Sequence, residues 1–528
     1  MFAIGWKGCV TTQGWGNDGT DLFVAGDFAM KKNFDCDVLI VGGGPTGVTL
    51  GLLLAQQGVS VIITEREADI YPLPRAAHVD HEVMRIFQQL ELADAIMATS
   101  RHTSRYDFLT ASGDVLLRFD GSDRIGQGGW PGANMIHQPS VERALRNKMA
   151  HAERIELRSQ WVFVGFDEGK DGINATFDTP GGQASLRAKY LVGADGARSS
   201  VREISGIVFD DLKFDEPWLV IDTIVQDYSR LPEVNLQICD PERPTTCVLM
   251  GEGRHRWEFM IKPGETPEQV LDVSFVERLM KPWNVEGAVT FERKTVYRFN
   301  AKVAASWRKG RILLAGDAAH QMPPFAGQGL CSGMRDAANL AWKLAAVARG
   351  DSSDRLLESY QPEREPNVRG IIDMAIMMGR TVCITEPRAA AERDQKMLAA
   401  RAAGEAPDGA ISYPPISAGC VLNGSPGAGS YFPQPRSTTN PDKKLDDVLG
   451  TGAWLITRDP PAASAKLARS LSLRMTELMS PELAPFRADL DKWLDTFGAP
   501  AVLVRPDRYV FGTGTSGQLV QAYEMSCH

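Results

Sequence analysis

The sequence predicts an α/β fold with more than one domain. Three observations carry this prediction: an uncharged apolar stretch interrupted by glycines, a middle region of alternating polar and apolar residues, and a final region in which strand-like and helix-like segments alternate. At 528 residues the chain exceeds the size at which one hydrophobic core normally stops growing. We therefore expect two or three domains.

The chain begins with a glycine-rich segment. Up to Met30 it lacks the basic start, apolar core and small-residue cleavage site of a signal peptide. We expect residues 1–35 to be a disordered tail. Met30-Lys31-Lys32, just before the first strand, is an alternative natural start that would leave residues 1–29 outside the native protein.

The composition indicates an ordinary soluble protein. The formal net charge of −9 comes from mixed charges without a long basic run, which argues against a nucleic-acid surface or a polybasic membrane anchor. The cysteines are scattered without a CxxC pair or a Cys/His cluster, so we expect free thiols, a reducing cytoplasmic location and no metal site. They are Cys9, Cys36, Cys239, Cys247, Cys331, Cys383, Cys420 and Cys527.

The first folded unit is predicted to be strand, turn, helix and strand. Residues 38–64 carry no charge and are long enough to suggest a transmembrane helix, but the glycines at 42–44, Pro45 and the break at Gln56-Gln57-Gly58 divide them. The spacing GxGxxG directly after a strand allows a tight turn and close approach to a pyrophosphate, which the helix N-terminus then faces. Glu65 ends the second strand where an adenosine ribose would donate hydrogen bonds. The residues expected to bind a dinucleotide, FAD or NAD, are Gly42, Gly44, Pro45, Thr46, Gly47, Glu65 and Arg66.

The following elements are predicted in chain order. An amphipathic helix is expected from His81 to Met97, antiparallel strands between about 106 and 130, a helix from about Pro139 and a strand at KYLVGADG. A second antiparallel block follows at 214–298, then the strand of RILLAGDAAH and a long helix from Gly329 to Val347. The domain boundaries follow from these elements. We expect a nucleotide-binding domain at 36–385 with an interleaved substrate domain at about 106–135 and 211–298, a linker at 386–439 and a C-terminal domain at 440–528.

Two further glycine-containing segments accompany the first motif: GADGARS at 193–199 and GDAAHQMPPFAGQGL at 316–330. In this order the three segments resemble the FAD site of the class A, single-component flavin aromatic hydroxylases. The resemblance implies an FAD-binding Rossmann-like domain whose chain returns to the flavin three times, an antiparallel sheet over the substrate, NADH or NADPH as co-substrate and dioxygen as oxidant. It also implies a thioredoxin-like C-terminal domain, which lacks a CxxC and should serve packing or homodimer contacts.

The resemblance assigns roles to individual residues. Asp317 would bind the ribityl chain, and Pro323 and Pro324 would line the C4a and N5 edge of the isoalloxazine. The backbone N–H groups at 327–330 would face N1 and the C2 carbonyl, where reduction places negative charge. The remaining residues implied to contact the cofactor are Arg75, Gln138, Asp195, Arg198, Gly327, Gln328, Gly329 and Leu330.

Three histidines lie near these segments: His78, His137 and His320. Each could relay a phenolic proton, but a hydrogen-bonded structural histidine is the commoner case. We therefore assign no catalytic base.

Four further segments, CDPERPTT, RHRWEFM, GMRDAANLAWKLA and RPDRYVFG, are most similar to the 3-(3-hydroxyphenyl)propionate hydroxylase subgroup. The implied reaction is hydroxylation of a small phenolic acid or related phenol, with a flavin C4a-hydroperoxide as the oxygen donor. Three alternatives stay open: a hydroxylase of polycyclic aromatics, a flavin-binding protein that does not oxygenate, and an NAD-dependent dehydrogenase, which would leave the Asp317 segment unexplained.

Overall fold

The computed structural model describes residues 34–406, 408–409, 412–459 and 465–527. Nearly all of the predicted tail lies outside these residues. The strands are β1 Cys36–Val41, β2 Val61–Glu65, β3 His78–Val79, β4 Arg101–His102, β5 Arg105–Leu109, β6 Val115–Asp120, β7 Asn134–Met135, β8 Ile155–Ser159, β9 Val162–Glu168, β10 Ile173–Thr179, β11 Gly182–Gly193, β12 Phe209–Val225, β13 Asn235–Ile238, β14 Thr245–Leu249, β15 Arg254–Met260, β16 Val289–Ala304, β17 Arg308–Lys309, β18 Ile312–Leu314, β19 His320–Gln321, β20 Trp454–Thr457, β21 Arg474–Glu477, β22 Ala501–Val504 and β23 Val510–Gly514.

The helices are α1 Pro45–Gln56, α2 His81–Gln89, α3 Ala93–Thr99, α4 Gln138–Ala150, α5 Ser200–Ile204, α6 Pro267–Val270, α7 Val273–Met280, α8 Gly329–Arg349, α9 Tyr360–Val382, α10 Pro387–Ala402, α11 Leu445–Leu449, α12 Ala465–Ser470, α13 Arg487–Thr496 and α14 Ser516–Cys527. Two single 3₁₀ turns, Gly316–Ala318 and Pro324–Ala326, belong to the site described below. Within the described chain, no helix combines the length and the apolar character that crossing a membrane requires.

The first sheet brings the three glycine-containing segments to one edge. Its strands run in the order β17-β18-β11-β1-β2-β8, and β1 pairs in parallel with both β2 and β11, while β11 pairs in parallel with β18. Strand β18 and most of β1 are buried, which explains their apolar sequences. Because the carboxyl ends of parallel strands share an edge, the segments after β1, β11 and β18 meet there.

The second sheet is largely antiparallel, in the order β19-β16-β12-β15-β14-β13-β5-β6. One face packs on α7 through a cluster that includes Leu219, Trp257 and Phe259. Since side chains alternate between the faces of a strand, the residues between these point to the opposite face. That face covers the carboxyl-end edge of the first sheet.

The C-terminal region forms a smaller sheet of order β21-β20-β22-β23, in which β20 and β21 are parallel and the other pairs antiparallel. This arrangement is compatible with the thioredoxin-like topology, which stays a prediction. Trp342 and Ala346 of α8 share a hydrophobic cluster with residues of this sheet. The C-terminal region is therefore packed onto the nucleotide-binding part of the chain.

Three expectations differ from the structure. The helix predicted from His81 to Met97 is divided into α2 and α3, because Glu91 between them adopts φ 59°. The predicted linker contains the helix α10. The expectation of free thiols is wrong for Cys420 and Cys527, which form a disulfide with a Cα–Cα distance of 6.1 Å. A separation of 107 residues conceals this proximity in the sequence, and Cys9 lies outside the described residues.

Candidate active site

A cavity of about 1090 Å³ lies between the carboxyl-end edge of the first sheet and the inner face of the second. Most of the residues predicted to bind the cofactor line it. They are Gly42, Gly44, Pro45, Thr46, Glu65, Arg66, Arg75, Gln138, Asp195, Arg198, Asp317, Pro324, Gly327, Gly329 and Leu330. The structure therefore brings residues from widely separated parts of the sequence to one cavity.

The turn after β1 requires its glycines. Gly42 has φ 112°, and a Cβ there would lie 2.3 Å from the carbonyl oxygen of Ala194. A Cβ at Gly47 would lie 2.0 Å from the carbonyl oxygen of Gly42, so Gly47 acts by close packing behind the cavity. Helix α1 begins at Pro45 with Gly44 as its N-cap, and no side chain caps its first N–H groups. These groups can bind a pyrophosphate at the positive end of the helix.

Glu65 at the end of β2 has a structural role as well as a place in the cavity wall. Its Oε2 accepts a hydrogen bond of 2.8 Å from the backbone N–H of Gly43, and its Oε1 accepts one from Glu67. The carboxylate thus fixes the shape of the glycine turn. Its position beside the turn is the one that a ribose-binding acid requires.

Asp195 caps the helix that follows β11. It accepts hydrogen bonds from the hydroxyl of Ser199 and from the backbone N–H of Val201, and burial raises its pKa. Arg202 donates to the carbonyls of Ala197 and Ala318 and so joins this segment to the Asp317 turn. Arg198 is exposed and lines the cavity.

Asp317 is presented to the cavity by the 3₁₀ turn after β18. Desolvation by the surrounding protein raises its pKa, although the residue lines the cavity and is exposed there. Among the described residues, it has no hydrogen-bond or ion-pair partner. Buried Asp336 holds the turn by accepting hydrogen bonds from Gly316 N and His320 Nε2, at 3.0 and 2.6 Å. A carboxylate that stands on a fixed turn, with no partner among the described residues, fits the hydroxyl groups of a ribityl chain.

Some residues of the segment 323–330 line the cavity, and others are buried in the core. Pro324 faces the cavity, whereas Pro323 is buried and does not line it. Gly327 has φ 64°, and its carbonyl bonds to His78 Nδ1 at 3.1 Å. Helix α8 starts at Gly329 with no side-chain cap, so its positive end faces the cavity.

The side chain of Gln328 does not reach this cavity. It is fully buried and donates to the hydroxyl of Tyr413 at 2.8 Å, while its carbonyl accepts from Arg335 at 3.1 Å. Only its backbone is available for the role that the resemblance implied.

The loop that carries Arg75 is held from both sides. Gln138 Oε1 accepts a hydrogen bond of 2.7 Å from Ala76 N. Arg256 donates to the carbonyls of Pro74 and Arg75 at 2.8 Å, and Arg293 donates to Pro74 at 2.6 Å. Gln138 thus positions the loop as well as lining the cavity.

The three histidines behave as structural residues. His78 lines the cavity, and burial lowers its pKa. His320 is bound to Asp336 outside the cavity. His137 bonds to Ser140 and Glu252, also outside it, and burial lowers its pKa.

The second sheet was predicted to cover the substrate, but the residues that line the cavity from it were not identified from the sequence. Tyr106, Val220, Gln237, Thr246, Val248, Arg256 and Glu258 line the cavity there. Burial raises the pKa of Glu258 to about 7. The alternation of TTCVL and RHRWEFM contained the signal, because a period of two assigns Thr246, Val248, Arg256 and Glu258 to one face.

Comparison with known proteins agrees with this geometry. The model of the FAD binding domain family matches residues 35–375, and that of the HcaD C-terminal domain matches residues 429–527. A probable NADH-specific resorcinol 4-hydroxylase of Rhodococcus jostii (strain RHA1) is 37% identical over 493 residues, which cover 90% of this chain and 91% of the relative.

Two further relatives are named 3-(3-hydroxy-phenyl)propionate/3-hydroxycinnamic acid hydroxylase. The protein of Mycobacterium avium (strain 104) is 34% identical over 90% of this chain and 89% of its own length. The protein of Comamonas testosteroni is 39% identical over 70% of this chain and 62% of its own length.

Solved structures share the fold. Aklavinone-11 hydroxylase with FAD and aklavinone has a TM-score of 0.75 at 24% identity, covering 93% of this chain and 99% of that one. The flavin-dependent monooxygenase PieE with FAD and substrate has a TM-score of 0.78 at 23% identity, with the same coverage of 93% and 99%.

Proposed function

Because the chain belongs to the FAD binding domain family, we propose that it is an FAD-dependent monooxygenase that uses NADH or NADPH and dioxygen to hydroxylate a small phenolic aromatic. The relatives at 34–39% identity are named for phenols with one ring. This favours a small phenol, such as resorcinol or 3-(3-hydroxyphenyl)propionate, over a polycyclic substrate. The NADH-specific relative favours NADH.

The observation that carries the proposal is a single cavity lined by the glycine turn, by Asp317 and by the second sheet. In the proposed complex the N-terminus of α1 binds the pyrophosphate, and Asp317 binds the ribityl hydroxyl groups. Helix α8 directs its positive end at the flavin ring and stabilises the negative charge of reduction. The bound flavin supplies hydride acceptance and oxygen activation.

The residues of the second sheet have a different task. Its inner face covers the cavity with apolar side chains such as Val220, Val248 and Phe299, and with the polar groups of Tyr106 and Gln237. Such a wall excludes water and orients an aromatic ring through a few hydrogen bonds.

The test is a measurement on the purified protein. After an absorbance scan for flavin, NADH and NADPH oxidation are followed with resorcinol, 3-hydroxyphenylpropionate, hydroxybenzoates, hydroxycinnamates and a polycyclic phenol. We expect one small phenol to stimulate oxidation and to gain one oxygen atom from ¹⁸O₂. Bound flavin with no hydroxylated product would favour the non-oxygenating alternative, and a protein that cannot be loaded with FAD would contradict the proposal.

A further inference from the structure

A row of side chains crosses the inner face of the second sheet. Val220 on β12 pairs with Glu258 on β15, Glu258 pairs with Thr246 on β14, and Thr246 pairs with Gln237 on β13. All of these residues line the cavity. Neighbouring positions in the strands, Trp257 and Phe259, belong to the hydrophobic cluster on the other face. Glu258 is therefore directed inward by the register of the sheet.

Glu258 lacks the partners that buried carboxylates normally have. It is 6% exposed, yet among the described residues it makes no hydrogen bond. Its nearest cation is Arg256, with Nη1 3.7 Å from Oε1. Arg256 already donates to Asp222 Oδ1 at 2.7 Å and to the carbonyls of Arg75 and Pro74 at 2.8 Å. Because Glu258 lines the cavity, a ligand that donates a hydrogen bond can supply the partner that the described residues do not.

The acids that the predicted cofactor segments contribute to the cavity wall differ from Glu258. They have hydrogen-bond partners or lie at a predicted cofactor position. Glu65 bonds to the glycine turn, and Asp195 caps α5. Glu142 accepts a hydrogen bond of 2.7 Å from Gln138. Asp317 lies on the 3₁₀ turn after β18, at the predicted ribityl position. Two acids of the second sheet line the cavity: Asp120 is exposed at the end of β6, whereas Glu258 is buried in the middle of the sheet.

Glu258 also lies near the loop expected to face the reactive edge of the flavin. The ring of Phe325, next to Pro324, contacts the ring of Trp218 with centroids 5.6 Å apart. Val220 follows two residues after Trp218, and Glu258 is its cross-strand neighbour. Sheet dimensions place Glu258 about 7 Å along the strand and about 5 Å across from Trp218. This is near enough for one aromatic ring to contact both Glu258 and the loop.

We propose that Glu258 is a catalytic residue that binds the ring hydroxyl of the phenolic substrate and accepts its proton. The proposal rests on the proposed function and adds the base that the sequence left unassigned. The phenolic O–H bond breaks, its electron pair stays on the oxygen, and the proton goes to a carboxylate oxygen of Glu258. The ring becomes more electron-rich and therefore more reactive toward the oxygen that a bound flavin would activate. When the hydroxylated carbon loses its hydrogen to water, the proton on Glu258 returns to the first oxygen and the carboxylate is regenerated.

The charged groups around Glu258 suit this role. Arg256 lowers its pKa, and so does Arg293 on β16, whereas burial and Asp222 on β12 raise it. Tyr106 on β5 is the nearby phenol, but it donates to the carbonyl of Phe325 at 3.2 Å and accepts from Gln237. Burial raises the pKa of Tyr106 far from neutrality. A base that changes protonation near neutral pH is well matched to proton transfer.

The test compares the FAD-loaded wild type with Glu258→Gln, Glu258→Asp and the control Glu277→Gln. Glu277 lies on the exposed side of α7, behind the sheet. Resorcinol and 3-hydroxyphenylpropionate serve as substrates, and product formation is measured from pH 5.5 to 9. FAD content, and the pH dependence of resorcinol binding seen in the flavin spectrum, are measured in parallel.

We expect Glu258→Gln to keep its FAD and to lose about 100-fold or more in product formation. The inflection near neutral pH that we expect for the wild type should be absent from the pH profiles of both product formation and resorcinol binding in this variant. Glu258→Asp should recover part of the rate together with an inflection, and Glu277→Gln should match the wild type.

Two results would overturn the inference alone: product formation by Glu258→Gln within about threefold of the wild type, a margin far below the usual effect of a base, or an inflection that survives the substitution. A wild type that binds FAD and hydroxylates no phenol would instead overturn the proposed function, and this inference with it.

Discussion

At the scale of single residues, Asp317 is a carboxylate on a turn that the protein holds in place, and it has no partner among the described residues. Asp336 fixes the turn from behind, at 3.0 Å from Gly316 N. Because hydrogen bonds to a charged group contribute about 1.5–3 kcal/mol, Asp317→Ala should weaken FAD binding by at least about tenfold. The measurement is the dissociation constant of FAD, obtained from flavin fluorescence during titration of the apoprotein.

The control for Asp317 is Asp167→Ala, because Asp167 is an exposed residue of β9. That variant should bind FAD as the wild type does. Full FAD occupancy of Asp317→Ala after extensive dialysis would contradict the role given to Asp317.

The raised pKa of Glu258 also predicts how the free energy of unfolding depends on pH. Its pKa is about 7 in the folded protein and 4.5 for an ordinary glutamate, with burial as the main cause. The folded protein therefore holds the proton more tightly, and the free energy of unfolding falls as pH rises from about 4.5 to about 7. Removing the charge should stabilise the apoprotein at pH 8 by on the order of 2–3 kcal/mol, and by little at pH 5.

The measurement is the melting temperature of apo Glu258→Gln and of the wild type at pH 5 and pH 8. The variant should melt higher at pH 8 and nearly equally at pH 5. An equal difference at both pH values would mean that Glu258 is not protonated near neutrality.

The sequence identified the glycines and Asp317 because their spacing and neighbours form motifs. It did not identify Glu258 or Tyr106, because their position depends on which residues of β5, β12, β14 and β15 lie opposite one another. A strand pattern gives the two faces of a strand but not its partner. Gln328 was assigned to the cofactor through its backbone N–H, and the sequence did not show that its side chain bonds to Tyr413 and Arg335.

At the scale of elements, the turn between β1 and α1 depends on backbone geometry that a side chain would destroy. Gly42→Ala would place a Cβ 2.3 Å from Ala194 O at φ 112°, whereas a Cβ at Gly44 meets no protein atom within 4 Å. Strain and overpacking together should cost at least about 2 kcal/mol in Gly42→Ala.

Thermal unfolding of the apoproteins checks this pair. Gly42→Ala should melt well below the wild type, and Gly44→Ala should melt close to it. If both variants melted alike, the close contact between the turn and β11 would not determine the fold of this element.

Elements with a strong local pattern were predicted well, and elements that depend on tertiary contacts were not. The unit of β1, α1 and β2 and the long helix α8 follow apolar periodicity and glycine positions. The break between α2 and α3 was missed. The residue at the break, Glu91, adopts φ 59°, which the apolar pattern does not indicate. Asp80 caps α2 and also binds Arg335 of α8, so the start of α2 is anchored by a contact that the local sequence does not reveal.

At the scale of the whole molecule, a buried network of charges joins the C-terminal region to the helices of the nucleotide-binding part. Glu363 of α9 binds Arg505 at 2.7 Å and Lys343 of α8 at 2.8 Å, and Arg505 also binds Asp507. All of these side chains are almost completely inaccessible to solvent. The family, FAD as its cofactor and the α/β class were predicted from sequence and are confirmed, whereas the ion pairs that join distant segments follow no motif.

Arg505 should therefore be essential to the association of these two parts of the chain. Arg505→Met leaves the carboxylates of Glu363 and Asp507 buried, with Lys343, Asn339 and the backbone N–H of Cys420 as their remaining partners. Breaking such a network costs about 3–5 kcal/mol. The exposed pair of Arg388 and Glu392 offers the control, since Arg388→Met should cost less than about 1 kcal/mol. Urea unfolding followed by tryptophan fluorescence measures the free energy of unfolding of both variants.

The double variant Arg505→Met with Glu363→Gln tests whether the two residues act together. Because Glu363→Gln removes one of the charges that Arg505→Met leaves without its arginine, the double variant should be more stable than the sum of the two single losses implies. Strictly additive losses would mean that Arg505 and Glu363 stabilise the molecule independently, and that the network does not couple its two parts.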